Sequence, residues 1–396
     1  MEENIKVSVV MPVHNVEKYL REALDDVCAQ TLREIEIICV NDGSTDGSES
    51  IIREYMEKDA RISLISQEQS YAGVARNRGI DAAKGAYIIC WDADDRFHEN
   101  ALERLYERIV ADDADLCVCN AQRYNTLTQK YVPADSYFVR EFLPQELPFS
   151  VKTWPKYIFN FATNVPWNKL YRRAFIQKHG LRYEARERAN DVYFNMMARY
   201  LAEKITVVDE VLVAYRVNNS DSLTGTLSRT PMIAIDAFLK VHEDLDKLGA
   251  FEDEQVRQSF ANRALYSILF ALHRQTDGAS FVAIYEYLKN GGLEKLEITD
   301  QGEGYYYKER VYELLKRIHR CSVVDYIMIR DAELMEQQKE RMEKYLQERI
   351  RQKDEVIARR DKRIHDIVNS NGYQMLLKLW AIENKLKGKK RQETEE

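Results

Sequence analysis

The sequence predicts an α/β protein: a mainly parallel sheet flanked by helices, followed by a helical C-terminal region. Three observations carry that prediction. Between residues 5 and 119, short apolar β-rich runs alternate with segments of helical periodicity, the pattern of βαβ units. Each of the first four runs ends in a polar cluster, and in open α/β sheets the ligand crevice lies beyond the carboxyl ends of the strands. From Pro231 onward the periodicity is almost wholly helical.

The expected strands are residues 5–11, 35–40, 62–66, 86–91 and 116–119. Val16, Leu20, Leu24 and Val27 recur at helical spacing between the first two, so one face of that segment packs on the sheet. Similar helices fit 49–58, 72–83 and 100–111. The polar clusters are 12–15, 41–48, 67–71 and 92–95, four strand ends on one rim. From about 120 to 230 the pattern loosens around Pro133, Pro144, Pro148, Pro155 and Pro166, with one further strand at 212–217. Residues 231–330 read as a helical domain with a loop at Asn290-Gly291-Gly292. In 331–368, Met335, Met342, Leu346, Ile350, Ile357 and Ile364 follow at steps of 7, 4, 4, 7 and 7, which suits a long charged helix, either solvated or paired with a second copy as a homo-oligomer.

The chain has 396 residues, 58 Lys and Arg against 65 Asp and Glu, and a net charge of −7. That composition excludes wholesale disorder, collagen and a small disulfide scaffold, and gives no basic footprint for nucleic acid. Six cysteines without CxxC spacing, mostly inside apolar runs, read as buried free thiols. The first residues are acidic where a secretory signal would be basic, and no stretch reaches about 18 uninterrupted apolar residues, so a cytoplasmic protein that does not span a membrane is expected. Residues 369–396 form a tail. Within it, 372–391 combines Trp380 and several aliphatic residues with a net charge of +5. A helix of that kind suits the anionic inner face of a membrane as a peripheral anchor, the alternative being a solvated or protein-docked helix.

The chemistry-bearing residues sit at the strand ends. Asp92, Asp94 and Asp95 follow a buried run, and hard divalent ions take one or two carboxylates together with substrate phosphates; the alternative is helix capping by Asp94 or Asp95 ahead of 99–110. In 41–48, Asp42 can accept from a ribose or a base N–H while Ser44 or Asp46 caps the next helix, and Ser44 stands where an EF-hand needs Asp or Asn. Arg76 and Asn77, in Gly73-Val74-Ala75-Arg76-Asn77-Arg78-Gly79, suit a nucleotide near a helix start, or else belong to a solvated helix face. GxGxxG after the first strand, GxxxxGK[ST], GxSxG and HExxH are all missing.

In this order, 7–15, 41–46, Gly73-x-Ala75-Arg76-Asn77-x-Gly79 and Asp92-Ala93-Asp94-Asp95 resemble the motifs of family 2 glycosyltransferases with the GT-A, Rossmann-like fold. The resemblance covers roughly residues 5–225. It implies a nucleotide-sugar donor, usually a UDP-sugar, a magnesium or manganese ion, and transfer with inversion to a saccharide or lipid-linked acceptor in polysaccharide or glycoconjugate biosynthesis. Residues 1–119 would then be the donor-binding half and 120–230 the acceptor-side half. Carried over, Pro12, Val13 and Asn15 would line the nucleotide, Asp42 would bind the base, and Arg76 and Asn77 would lie near base and diphosphate. Asp92 would contact ribose or metal, and Asp94 would coordinate the metal. The family's Glu-Asp pair ahead of an aromatic matches Asn190-Asp191-Val192-Tyr193-Phe194, which makes Asp191 the candidate base and puts Asn190 in place of the usual Glu. Trp167 would stack on an acceptor sugar or belong to the core. Arg216 would reach the diphosphate or form a surface ion pair, and Asn218, Asn219 and Ser220 continue that stretch. Two rivals stand beside this reading. A nucleotidyltransferase would need a Gly- and Lys-bearing loop that 11–15 lacks; the other rival is a non-catalytic nucleotide-binding or oligomerising scaffold.

Overall fold

The computed structural model describes residues 5–134, 136–217 and 231–392. The expectations placed on Asn218, Asn219 and Ser220, and on the basic side chains 387–391, lie outside the described residues. The chain divides into two compact units, Met1–Arg320 and Cys321–Glu396.

The first unit opens with alternating strands and helices: β1 Val7–Val13, α1 Glu17–Cys28, β2 Ile35–Asp42, α2 Ser48–Lys58, β3 Ile62–Gln67, α3 Tyr71–Ala82 and β4 Tyr87–Cys90. β1 pairs in parallel with β2 and β4, Val7 standing opposite Ile35 and Tyr87. Both faces of β1 are covered, which explains its near-continuous apolar run. Leu20, Ala23, Leu24 and Val27 are the buried residues of α1, the face its spacing marks out. α3 lies so close to β1 that a Cβ on Gly79 would meet Val10 Cγ1 at 2.2 Å. β1 runs two residues later than its apolar run suggests, so Pro12 and Val13 belong to the strand.

The second half of the unit departs further from expectation. After β5 Arg96–Phe97 and α4 Ala101–Ala111 come β6 Leu116–Asn125, β7 Lys130–Pro133, β8 Lys169–Arg172, α5 Arg173–His179, α6 Asn190–Leu201 and β9 Ile205–Val217. The strand order is β3-β2-β1-β4-β8-β6-β9-β5, with β7 paired to β6. The sheet is parallel from β3 to β4, but β8 enters antiparallel to both β4 and β6, so the whole is mixed. Trp91 stacks on Phe97 with centroids 4.0 Å apart and donates Nε1–H to the Trp167 carbonyl at 3.0 Å, which closes the core beneath the rim. α7 Ile233–Lys247, α8 Glu254–His273, α9 Gly278–Tyr287 and α10 Glu309–Arg320 complete the unit.

The second unit consists of α11 Val323–Val368 and α12 Asn371–Gln392. Ser322 caps α11 by accepting from Asp325 N at 3.2 Å. Tyr326 is the buried residue of this 46-residue helix. No helix among the described residues is long and apolar enough to cross a membrane. Cys39, Cys90, Cys117 and Cys119 are buried free thiols, and Cys28 and Cys321 are half-buried ones.

Candidate active site

The loops after β1 and β2 are tied to each other. Asn15, in the left-handed region at φ 52°, accepts from Thr45 N at 2.8 Å through Oδ1, while its own N–H donates to Ser44 Oγ at 3.1 Å. Asp46 accepts from Glu17 N and Ser48 N, both at 3.0 Å, so it caps the start of α1 and orders its own loop. Asp42 is buried, and its Oδ1 accepts from Gln67 Nε2 at 2.6 Å and Ser70 N at 2.8 Å. It therefore joins the ends of β2 and β3 to the start of α3.

α3 and α6 meet at the next corner. Arg76 is buried; its Nη2 donates to Asp92 Oδ1 at 2.6 Å and its Nη1 to Asn190 Oδ1 at 3.0 Å. Asn77 exchanges two hydrogen bonds with the Tyr183 backbone, at 2.8 and 2.9 Å. Gly73 permits this closure, because a Cβ there would stand 2.2 Å from the Glu184 carbonyl oxygen. Ala189 turns the chain into α6 at φ 52°, and Asp191 falls in the first helical turn. Burial lifts the Asp191 carboxyl to about 6; Arg76 and Lys169 pull it down, and Asp92 adds to the rise. The candidate base and the strand-end acid thus share one electrostatic environment.

The acidic cluster is sorted by burial. Asp95 is wholly buried, its Oδ1 accepting from Arg216 N at 2.8 Å. Burial first, then the charges of Asp94 and Asp92, push its carboxyl well above the usual range, and the Arg216 N–H and charge pull it down. The helix-capping alternative for this cluster fails, since β5 intervenes and Asn100 holds the N-cap position of α4. Arg216 is no surface ion pair: it is buried between the rings of Tyr19 and Tyr124, and donates to the Asp94 carbonyl at 2.6 Å and to Glu22 at 2.9 Å. It clamps the Asp94 backbone. Trp167 takes the core alternative, buried against Tyr137 and stacked on Tyr215, which leaves no ring face for a sugar.

Residues 8–180 match the family model described as glycosyl transferase family 2. Over 234 residues the chain is 33% identical to glycosyltransferase GlyG of Streptococcus pneumoniae serotype 4, covering 57% of this chain and 73% of that protein. This chain belongs to glycosyltransferase family 2. It is also 35% identical to GlyA of the same organism over 227 residues, 57% of this chain and 32% of GlyA. With the putative glycosyltransferase EpsH of Bacillus subtilis it shares 35% identity over 218 residues, 54% of this chain and 61% of EpsH. The chain thus spans about a third of one of these relatives and about three fifths of the other. Among solved structures, S. aureus TarS 1–349 superposes with a TM-score of 0.60 at 20% identity, over 79% of this chain and 86% of that one. The TarS 1–349 complex with UDP-GlcNAc gives 0.61 at 19% identity, over 79% and 87%. The shared architecture is the GT-A fold.

For the family 2 chain, the donor atoms decide whether a divalent ion fits. No group of three or more His, Cys, Asp or Glu side chains among the described residues is placed to hold a metal alone. Asp95 is buried with Oδ1 accepting from Arg216 N, so the less buried acids of the cluster are Asp94 and Asp92, the latter paired with Arg76. Two carboxylates completed by diphosphate oxygens suit a magnesium-type ion, whereas an all-protein cage is not built here.

Several residues that hold these candidate side chains in place have no motif of their own. Gln67, Ser70, Glu22, Tyr19 and Tyr183 work through partners far away in the chain, which no local spacing reveals. Lys169 is fully buried, donating to the Thr163 and Val165 carbonyls at 2.8 and 2.7 Å and to Asn168 Oδ1 at 2.7 Å.

Proposed function

We propose that this chain transfers a sugar from a nucleotide-sugar donor, a UDP-sugar, to a hydroxyl of a saccharide or lipid-linked acceptor with inversion. The observation that carries this reading is the Arg76 bridge, which ties the strand-end acid Asp92 to the start of the helix bearing Asp191. The UDP-GlcNAc complex of TarS, which shares the fold, supports the choice of donor class.

In this reading Asn15, Asp42, Asn77 and the backbone of Pro12 and Val13 shape the nucleotide site, and Asp92 takes the ribose side. Asp94, with Asp92 beside it, would hold magnesium or manganese; such an ion, when bound, neutralises the charge that develops on the leaving diphosphate. Arg216 keeps the Asp94 backbone in place through its carbonyl. Asp191 accepts the proton of the acceptor hydroxyl as it attacks the anomeric carbon. A carboxyl near 6 is ionised at neutral pH yet basic enough to take that proton. The attack opposite the leaving group inverts the anomeric centre without a covalent intermediate.

The half-exposed apolar residues of α11 support pairing with a second copy, and Trp380 with its neighbours on α12 supports contact with an anionic inner-leaflet surface. In this reading the chain works on the cytoplasmic side, in the synthesis of surface polysaccharide or glycoconjugate. The test of the catalytic reading is a panel of nucleotide sugars with manganese and EDTA arms, followed by nucleoside diphosphate release. Binding of UDP without turnover of any sugar, across acceptors, would favour the scaffold instead.

A further inference from the structure

A cavity of about 460 Å³ opens in the first unit between the segment 136–142, residue 160 and helices α8 and α10. Its size falls in the range of small-ligand sites. The walls are aromatic and basic: Phe142, Tyr266 and Tyr307 with Arg140, Arg263 and Lys308, against a single acidic lining residue, Glu141. Arg140 is paired with Asp209 at 2.6 Å. Lys308 lies over the Tyr266 ring at 4.8 Å, and among the described residues it has no carboxylate partner.

The floor of the cavity carries charge that the fold does not neutralise. Arg263 is buried and donates to the carbonyls of Phe159 at 2.8 Å and Ala162 at 3.1 Å. Arg199 of α6, also buried, donates to the same two carbonyls at 2.9 and 2.8 Å. Carbonyl oxygens take the Nε and Nη2 donors of Arg263 but leave two positive charges uncompensated in a low-dielectric interior, and no carboxylate among the described residues pairs with either. An unpaired buried charge is costly, so a fold that keeps two side by side leaves a positive potential for an anion to balance. Through those shared carbonyls the lining residue Arg263 adjoins α6, which carries Asp191 at its start and Arg199 two turns later.

We infer that this cavity binds an anionic saccharide, a sugar unit bearing a carboxylate or a phosphate, as an anchoring subsite for the acceptor chain away from the reacting hydroxyl. The ring faces of Tyr266, Tyr307 and Phe142 take the apolar face of the sugar, and Lys308 with Arg263 takes the acid group. The acceptor role rests on the transferase reading above; the binding itself does not.

The test uses the full chain with three fluorescent probes: a glucuronate-containing hyaluronan tetrasaccharide, a maltotetraose bearing a 6-phosphate, and neutral chitotetraose. UDP binding is measured in parallel. One of the two anionic probes should bind in preference to the neutral one, and which of them binds separates carboxylate from phosphate. Lys308→Glu and Tyr266→Ala should each weaken that binding about tenfold or more, with UDP affinity unchanged. Absence of binding by both anionic probes, equal binding of chitotetraose, or unaltered binding in both variants would overturn the proposal. Loss of UDP binding in the wild-type chain would instead count against the donor reading and leave this one standing.

Discussion

Arg76 holds Asp92 and Asn190 at once, 2.6 Å from the first and 3.0 Å from the second, and so couples the end of β4 to the start of α6. The Arg76 guanidinium takes its second side-chain acceptor from residue 190, where Asn supplies Oδ1.

Replacing Arg76 by Ala removes the partner of a half-buried carboxylate and should cost about 1 to 3 kcal/mol. Thermal unfolding of Arg76→Ala checks this, and donor affinity should fall with it. Asn190→Glu should fold normally and bind donor. Its added negative charge beside Asp191 should push the acid limb of the pH–rate profile upward from about 6.

The raised Asp191 carboxyl sets the pH dependence. Activity should fall below about pH 6 as the base becomes protonated. A carboxyl whose folded-state value lies above its unfolded one costs stability when ionised. That cost applies above about pH 6 and fades as pH drops toward the unfolded value. Asp191→Asn should therefore lose about 100- to 10,000-fold in turnover, while its melting temperature at pH 8 holds or rises. A drop in melting temperature matching the loss of activity would show that Asp191 is structural.

Gly79 tests the packing of α3 on β1. In a helix interior Gly→Ala ordinarily gains about 1 kcal/mol. Here the new methyl would meet Val10 at 2.2 Å, and overpacking of that kind costs about 1 to 3 kcal/mol. Gly79→Ala should lower the denaturation midpoint, and combining it with Val10→Ala should recover part of the loss.

What the sequence disclosed and what it hid divide along a physical line. Asp42, Asp92 and the helix after Gly73 were legible because a polar cluster after an apolar run marks a strand end, which is local information. The burial of Asp95 and Arg216 was not, because their hydrogen bond joins residues 121 positions apart. β8 was missed because it begins with Lys169, a residue that reads as surface and is buried here only through three hydrogen bonds. β7 is exposed throughout and shows no alternation at all. Trp167 allowed two readings, and only the rings of Tyr137 and Tyr215 decide for the core.

α11 presents Ile350, Ile357 and Ile364 to solvent at heptad spacing. Sedimentation equilibrium should give a mass above that of one chain, and Ile350→Asp with Ile357→Asp should return it to one chain. A single-chain mass at every concentration would rule out pairing through this helix.

The most direct test of the transferase reading follows UDP release from a panel of UDP-sugars and acceptors in manganese, with EDTA, Asp94→Ala and Asp191→Asn alongside. The predicted result is release from one sugar, lost in EDTA and in both variants, while Asp191→Asn still binds UDP. Turnover that survives in Asp191→Asn would contradict the assignment of the base, and the absence of both turnover and UDP binding would contradict the transferase reading itself.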